Sequence, residues 1–256
     1  MNMKMILAVN IGNTNIRFAI VQEMKVKFSW TINTKPYKTA GEFFMLFQSF
    51  KQQYVTDIEK IHAIVIGSVV PLQTQIIARV LGKAFKLNPL IVSRNTPSEV
   101  THQSNQMGTD LYANAVAAHY LYEKRKKIIV DFGTALTLTA VDEQGKLLGV
   151  IIAPGVITSL NALVGNTAQL PDIELIKPKA ILGKDTETCM QSGIIYGYSS
   201  MVEGLIKRIN DYLQEDCYVI STGGLGHLYK PFVPSIHIDD KLHTIKGLCK
   251  LYELNK

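Results

Sequence analysis

The sequence predicts an α/β protein made of two similar halves. Two observations predict it. The first is the order of patterns: in each half, strand-like apolar runs come first, and helical and strand-like segments then alternate. The second is an internal repeat. The stretch 128–155 reads as three strands, with turns at Phe132-Gly133-Thr134 and Asp142-Glu143-Gln144-Gly145. Near the N-terminus, Val9-Asn10-Ile11-Gly12-Asn13-Thr14 leads into another apolar run, and laying Val9 on Val130 puts Gly12 on Gly133 and Asn10 on Asp131. The shift is nearly half the chain, far beyond a solenoid unit. It implies duplication, with the boundary near residues 105–125 and domains of 1–115 and 116–256.

In the first half, residues 3–9, 17–22 and 25–32 read as a three-stranded meander. Residues 39–54 carry Phe43, Phe44, Leu46, Phe47 and Phe50 on a helical face. A buried-type strand at 61–66 precedes Pro71, which suits the first turn of a helix running to about Gly82. A short strand at 90–92 and a polar, irregular stretch at 96–107 follow. Residues 108–124 place Leu111, Ala115, Ala118 and Leu121 or Tyr122 on one face, a helix expected to cross between the halves.

In the second half, the three strands are followed by a helix at 156–164 and a Pro-bearing loop at 165–182. A long helix at 186–213 comes next. A strand at 218–220 leads into Ser221-Thr222-Gly223-Gly224. A short strand at 236–238 and a helix at 242–252 complete the chain.

Composition narrows the function. Of 256 residues, 47% are hydrophobic and 19% charged, which excludes a disordered chain. The net charge of +6 is scattered, with no basic stripe of interleaved aromatics, so nucleic acid is not expected as a partner. The densest basic run, Lys124-Arg125-Lys126-Lys127, reads as a solvated helix end. No apolar run is long enough to span a bilayer, and no signal peptide is evident. Three cysteines (Cys189, Cys217, Cys249) without metal spacing suit a reducing cytoplasm and read as buried thiols. The six histidines show no pairing at ligand spacing.

The two glycine turns carry the chemistry. Glycine lets a backbone approach a ligand, and successive amides there can face a phosphate. One such turn would be an ordinary hairpin; two in register, with Thr14 and Thr134 beside Asn10 and Asp131, point to a polyphosphate. Asp131 ends a buried-type strand, where a carboxylate needs a partner or a cation. Asp110 follows Gly108-Thr109 at a helix start, and local pattern alone favours a carboxylate complementing the helix dipole. Gly223-Gly224 permits flat approach of a base or ribose.

Together these segments resemble the type III pantothenate kinases over almost the whole chain. Asn10-Ile11-Gly12-Asn13-Thr14 is similar to the family's opening Asp-x-Gly-Asn-Thr, and Gly108-Thr109-Asp110-Leu111 to its Gly-x-Asp-Arg. Asp131-Phe132-Gly133-Thr134-Ala135 matches in full, with Pro154-Gly155 after it. Thr167-Ala168-Gln169-Leu170-Pro171, Asp185-Thr186 with Met190-Gln191-Ser192-Gly193, and Thr222-Gly223-Gly224 follow in family order. The resemblance implies two ribonuclease H-like domains (duplicated βββαβαβα, the actin-like ATPase fold) with ATP in the cleft between them. It implies ATP-dependent phosphorylation of pantothenate to 4'-phosphopantothenate, the first step of coenzyme A biosynthesis, in a cytoplasmic homodimer.

By the same resemblance, Asn10, Gly12, Asn13, Thr14, Asn15, Arg17, Thr134, Gly223 and Gly224 contact ATP with Mg2+. Asp131 holds a monovalent cation, K+ or NH4+. Asp110 is the base, and Thr101, Gly108, Thr109, Asp110, Leu111 and Thr186 line the pantothenate site.

Three positions depart from the family pattern. Asn10 replaces an Asp, Leu111 an Arg, and Thr101 a residue that is usually Tyr. Losing one charge-assisted hydrogen bond costs roughly 1.5–3 kcal/mol, about ten- to a hundredfold in affinity. The expectation is a weak kinase. A non-catalytic relative with a binding role, or a kinase of another small hydroxylated substrate, stays open at this point.

Overall fold

A computed structural model describes residues 5–54, 60–104 and 106–256. The first two residues of the expected opening strand, and Asn105 of the irregular 96–107 stretch, lie outside them. The chain forms two compact units, Met1–Leu121 with His243–Lys256, and Tyr122–Leu242.

The first unit is built on β1 (Met5–Ile11), β2 (Asn15–Gln22), β3 (Lys25–Asn33), β4 (Ile61–Ser68) and β5 (Leu90–Ile91), in the order β3-β2-β1-β4-β5. The strands β1, β2 and β3 pair antiparallel, whereas β1–β4 and β4–β5 are parallel. β1 is apolar almost throughout because both of its faces are covered, while the outer strand β3 is at most half-buried.

Around this sheet lie α1 (Ala40–Tyr54), α2 (Pro71–Phe85) and α3 (Thr109–Leu121). Thr39 and Glu42 start α1 as a capping box: the Thr39 amide donates to Glu42 Oε2 at 2.8 Å, and the Glu42 amide to Thr39 Oγ1 at 3.3 Å. Pro71 opens α2, and Lys86 closes it in the left-handed region (φ 55°). Phe18 stacks between Trp30 (4.8 Å) and Phe43 (5.8 Å), tying sheet to helix.

The second unit repeats the plan. Its strands are β6 (Lys127–Phe132), β7 (Ala135–Val141), β8 (Leu147–Pro154), β9 (Tyr218–Gly223) and β10 (Ile238–Asp239). They run in the order β10-β9-β6-β7-β8, the same order as β5-β4-β1-β2-β3. Pairings match as well: β6–β7 and β7–β8 are antiparallel, β6–β9 and β9–β10 parallel. The duplication read from the glycine turns is therefore a duplication of whole sheets. Helices α4 (Val156–Gly165), α5 (Thr186–Leu213) and α6 (Gly226–Tyr229) accompany this sheet, and Phe132 stacks on the buried Tyr229 at 4.9 Å.

Several expectations differ from what is observed, among them the last short strand, which is Ile238–Asp239 rather than 236–238. The division does not fall at residues 115 and 116. α3 stays whole within the first unit, and the last helix, α7 (His243–Leu254), returns to it. The cause is packing: Ala113, Ala115, Ala117 and Ala118 keep α3 thin, and Gly247 brings α7 against the Ala113 backbone. His243 and Thr244 add bonds to the Asn114 carbonyl (3.0 Å) and side-chain oxygen (2.7 Å).

Lys127 is not part of a solvated helix end. α3 stops at Leu121, and Lys127 is fully buried at the start of β6, its Nζ donating to the Arg125 carbonyl at 2.8 Å. Its burial pushes its pKa below the usual lysine value. Cys189 is exposed on α5, whereas Cys217 and Cys249 are buried as expected. Finally, β9 does not stop at Ile220 but carries Ser221, Thr222 and Gly223 as strand residues.

Candidate active site

In each unit the expected residues gather at the C-terminal ends of the two central parallel strands, where open α/β sheets bind ligands. In the first unit, β1 ends at Ile11 and the turn Gly12-Asn13-Thr14 leads into β2. The Gly12 amide donates to the Asn15 carbonyl at 2.9 Å and closes the turn. Buried Thr34 holds it from outside, its hydroxyl donating to the Gly12 carbonyl at 2.7 Å and its amide to the Thr14 carbonyl at 2.8 Å. Asn13, Thr14 and Asn15 are left exposed. Asn10 lies across from Arg17 on β2 and Gly67 on β4, so Asn10 and Arg17 share one face of the sheet.

The start of α3 is fastened to the same edge. The Thr109 hydroxyl donates to the Ser68 carbonyl at 2.8 Å, and the Val69 amide donates to the Ile11 carbonyl at 3.0 Å. Asp110 is half-buried, and its Oδ1 accepts the Leu111 amide at 2.8 Å. A Cβ added at Gly108 would stand 2.6 Å from that oxygen and 3.9 Å from Val69 Cγ1. Gly108 is thus small because the Asp110 carboxylate folds over it. Thr101, exposed, lies in a segment moored to α3 through buried Tyr112, whose hydroxyl donates to the Thr96 carbonyl at 2.6 Å and meets Ser98 Oγ at 2.7 Å. Burial raises the Tyr112 pKa, keeping the phenol protonated as a donor. The structure thus brings Asn10, Gly12–Asn15, Arg17 and Gly108–Leu111 to one edge of one unit.

In the second unit the same edge carries Asp131, Gly133-Thr134 and Gly223-Gly224. The Thr134 carbonyl accepts the Gly155 amide (3.2 Å) and the Thr158 hydroxyl (2.7 Å). Gly155 packs so closely on the Gly133 and Thr134 carbonyls that no side chain fits, which accounts for the glycine of Pro154-Gly155. Gly223 has φ +93°, a region that disfavours side chains. A Cβ there would stand 2.6 Å from Asp131 Oδ1 and from the Phe132 carbonyl carbon and oxygen. The Gly224 amide donates to the Phe132 carbonyl at 3.1 Å.

Thr222 pairs with Asp131 across β9 and β6; it is 1% exposed, and its Oγ1 has no hydrogen-bond partner. No cluster of three His, Cys, Asp or Glu able to hold a metal stands among the described residues. The oxygens here are the Asp131 carboxylate, the buried Thr222 hydroxyl and peptide carbonyls, donors of the kind that suit a hard cation.

Thr186 is exposed in the first turn of α5. Asp185 caps this helix: its Oδ1 accepts the Thr188 amide at 2.9 Å, and its own amide donates to Thr188 Oγ1 at 3.2 Å. One turn further on, Gln191 Nε2 donates to the Glu174 carbonyl (3.0 Å), and the Ser192 hydroxyl donates to the Ile181 carbonyl. The Met-Gln-Ser-Gly segment therefore pins the preceding loop onto α5. The sequence marks the Thr-Gly-Gly segment, but the enclosed hydroxyl of Thr222 follows only from the strand register.

Comparison with known proteins shows the family. A family model described as type III pantothenate kinase matches residues 6–208. A type III pantothenate kinase from Moorella thermoacetica is 35% identical over 254 residues, covering 98% of this chain and 100% of that protein. Among solved structures, a Baf family protein from Campylobacter jejuni is 18% identical, covers 97% of this chain and 98% of that chain, and has a TM-score of 0.61. The inorganic polyphosphate/ATP-glucomannokinase from an Arthrobacter strain is 13% identical, covers 98% of each chain, and has a TM-score of 0.52. These structural likenesses concern fold alone: two mixed five-stranded α/β units, as in the actin-like kinases.

Proposed function

Because this chain belongs to the type III pantothenate kinase family, we propose that it transfers the γ-phosphoryl group of ATP to pantothenate, giving 4'-phosphopantothenate for coenzyme A synthesis. The observation that carries this reading is the match to the Moorella thermoacetica kinase, which runs over 98% of the chain. It therefore takes in Asp110, both glycine turns and the Thr-Gly-Gly segment together.

In this proposal Asp110 accepts the proton of the pantothenate hydroxyl as its oxygen attacks the γ-phosphorus. The Asp110 carboxylate is fit for that: one oxygen is oriented by the Leu111 amide, and Gly108 leaves room around it. Asn10, Gly12, Asn13, Thr14, Asn15, Arg17 and Thr134 contact the phosphates, and Gly223-Gly224 the nucleoside. Thr101, Gly108, Thr109, Leu111 and Thr186 line the pantothenate site. Phosphoryl transfer depends mainly on positioning and charge neutralisation, and these residues supply both. Mg2+ travels with ATP. Asp131 holds a monovalent cation, K+ or NH4+, which would offset phosphate charge.

Asn10 keeps an oxygen but lacks the charge that orders a hydrated divalent ion, and Leu111 cannot pair with a carboxylate. Both support modest turnover. We also propose a cytoplasmic homodimer. No helix among the described residues is long and apolar enough to cross a membrane. The second unit exposes the apolar side chains Ile152, Ile157, Ile176, Ile181 and Leu182, which a second copy could cover.

The test is coupled ADP release with pantothenate, in potassium and in sodium. The proposal expects ADP release that depends on pantothenate and is faster in potassium. ATP binding with no pantothenate-dependent turnover in either salt would refute it.

A further inference from the structure

Two enclosed side-chain oxygens of the second unit have no hydrogen-bond partner, Glu143 Oε2 and Thr222 Oγ1, and Thr222 is the one on the strand beside Asp131. Its hydroxyl is enclosed, yet it bonds to nothing. A buried hydroxyl without a partner costs about 1–3 kcal/mol, so such groups mark a strained or ligand-binding place rather than an ordinary core position. Its surroundings say which. Thr222 sits directly across from Asp131 on the neighbouring parallel strand, so the two side chains rise from the same sheet face on strands about 4.8 Å apart. On its other side Asp131 pairs with Thr137 of β7. The Asp131 carboxylate bends toward the strand ends, over Gly133 and into the space that a side chain at Gly223 would fill.

The first unit has the same plan without this chemistry. There Asn10 stands where Asp131 does, and the β4 position across from it is Gly67, whose open side is filled by the Leu248 side chain. Only the second unit thus sets a hydroxyl beside a carboxylate at this register. An apolar residue of threonine's shape would pack as well, and without an orphaned oxygen.

We propose that Thr222 Oγ1 is a ligand of the monovalent cation held by Asp131. It is a second, neutral oxygen donor whose partner is the ion itself. A neutral hydroxyl beside a single carboxylate suits a singly charged, hard cation. The inference rests on the assignment of Asp131 as the cation residue, and the test separates the two.

The experiment uses the whole chain without ATP or pantothenate. Thallium(I), a potassium mimic with an observable nucleus, is titrated by NMR, and the rise in melting temperature with added potassium is followed in parallel. Thr222→Val removes the oxygen and keeps the shape; Thr222→Ser keeps the oxygen. The expected results are as follows. Thr222→Val melts at or above the wild-type temperature in cation-free buffer, because it carries no orphaned hydroxyl. Its half-saturating thallium(I) concentration rises roughly tenfold, the scale of one lost ligand contact. Thr222→Ser stays within about threefold of wild type on the same scale. Asp131→Asn loses saturable binding.

Wild-type affinity for thallium(I) in Thr222→Val, with binding lost in Asp131→Asn, overturns the role of Thr222 alone. Saturable binding that survives Asp131→Asn overturns the Asp131 assignment and this inference with it. A Thr222→Val chain less stable than wild type in cation-free buffer would show that the hydroxyl is bonded within the fold, and would also overturn it.

Discussion

The Asp131 carboxylate occupies the space that a side chain at Gly223 would need: a Cβ there would stand 2.6 Å from Asp131 Oδ1. The last residue of β9 is therefore a glycine for two reasons, its φ of +93° and the carboxylate beside it. Gly223→Ala should cost about 1–3 kcal/mol through backbone strain, read by urea unfolding. It should also weaken potassium-dependent stabilisation, because Asp131 must move. An alanine variant with wild-type stability and potassium response would contradict this packing.

A second close approach joins the last helix to the first unit. A Cβ at Gly247 would overlap the Ala113 carbonyl oxygen and stand 2.7 Å from its carbon. Backbone cannot retreat as a flexible side chain can. Gly247→Ala should destabilise the protein by about 1–3 kcal/mol, the usual range for overpacking. Gly193→Ala on α5, where nothing lies within 4 Å, is the control and should be neutral or stabilising. Equal stability of the two variants would sink the helix-contact account.

The cap of α5 gives a pH dependence. Asp185 is exposed, and the Thr188 backbone amide, with its hydroxyl second, holds its carboxyl below the ordinary aspartate pKa. Its folded value lies below its unfolded one. The stabilisation is therefore complete above the unfolded value and fades as pH falls through the folded one. The difference in melting temperature between wild type and Asp185→Ala should be constant near neutral pH and shrink in strong acid. A difference that grows on acidification would reverse the sign assigned here.

Asn10 is the position where the first turn departs from the family pattern. Asn10→Asp restores a carboxylate on the sheet face that also carries Arg17. Magnesium-dependent ATP affinity should rise about ten- to a hundredfold, the worth of one charge-assisted hydrogen bond, measured by calorimetry with and without magnesium. Unchanged affinity would show that the amide is no handicap.

Much of this was legible in the sequence because it rests on local pattern. The glycine turns, the start of α5 at Thr186 and the apolar runs of β1 and β6 are written in consecutive residues. What was hidden depends on distant chain segments. Gly247 reads as an ordinary helical glycine until Ala113 is found against it. Lys127 reads as the end of a basic run until the strand it begins is seen to be covered on both faces. Thr222 is visible as part of Thr-Gly-Gly, but its orphaned hydroxyl follows only from the register of β9 on β6. Cys189 shares its helix with buried residues but lies in the exposed first turn of α5.

The central claim is that Asp110 takes a proton from pantothenate during phosphoryl transfer. It is tested most directly by single-turnover phosphorylation of pantothenate with wild type and Asp110→Asn, with ATP and pantothenate affinities measured on the same samples. The account predicts a rate loss of about a hundred- to ten-thousandfold in Asp110→Asn, with ATP affinity kept. A variant that phosphorylates pantothenate at close to the wild-type rate would contradict it.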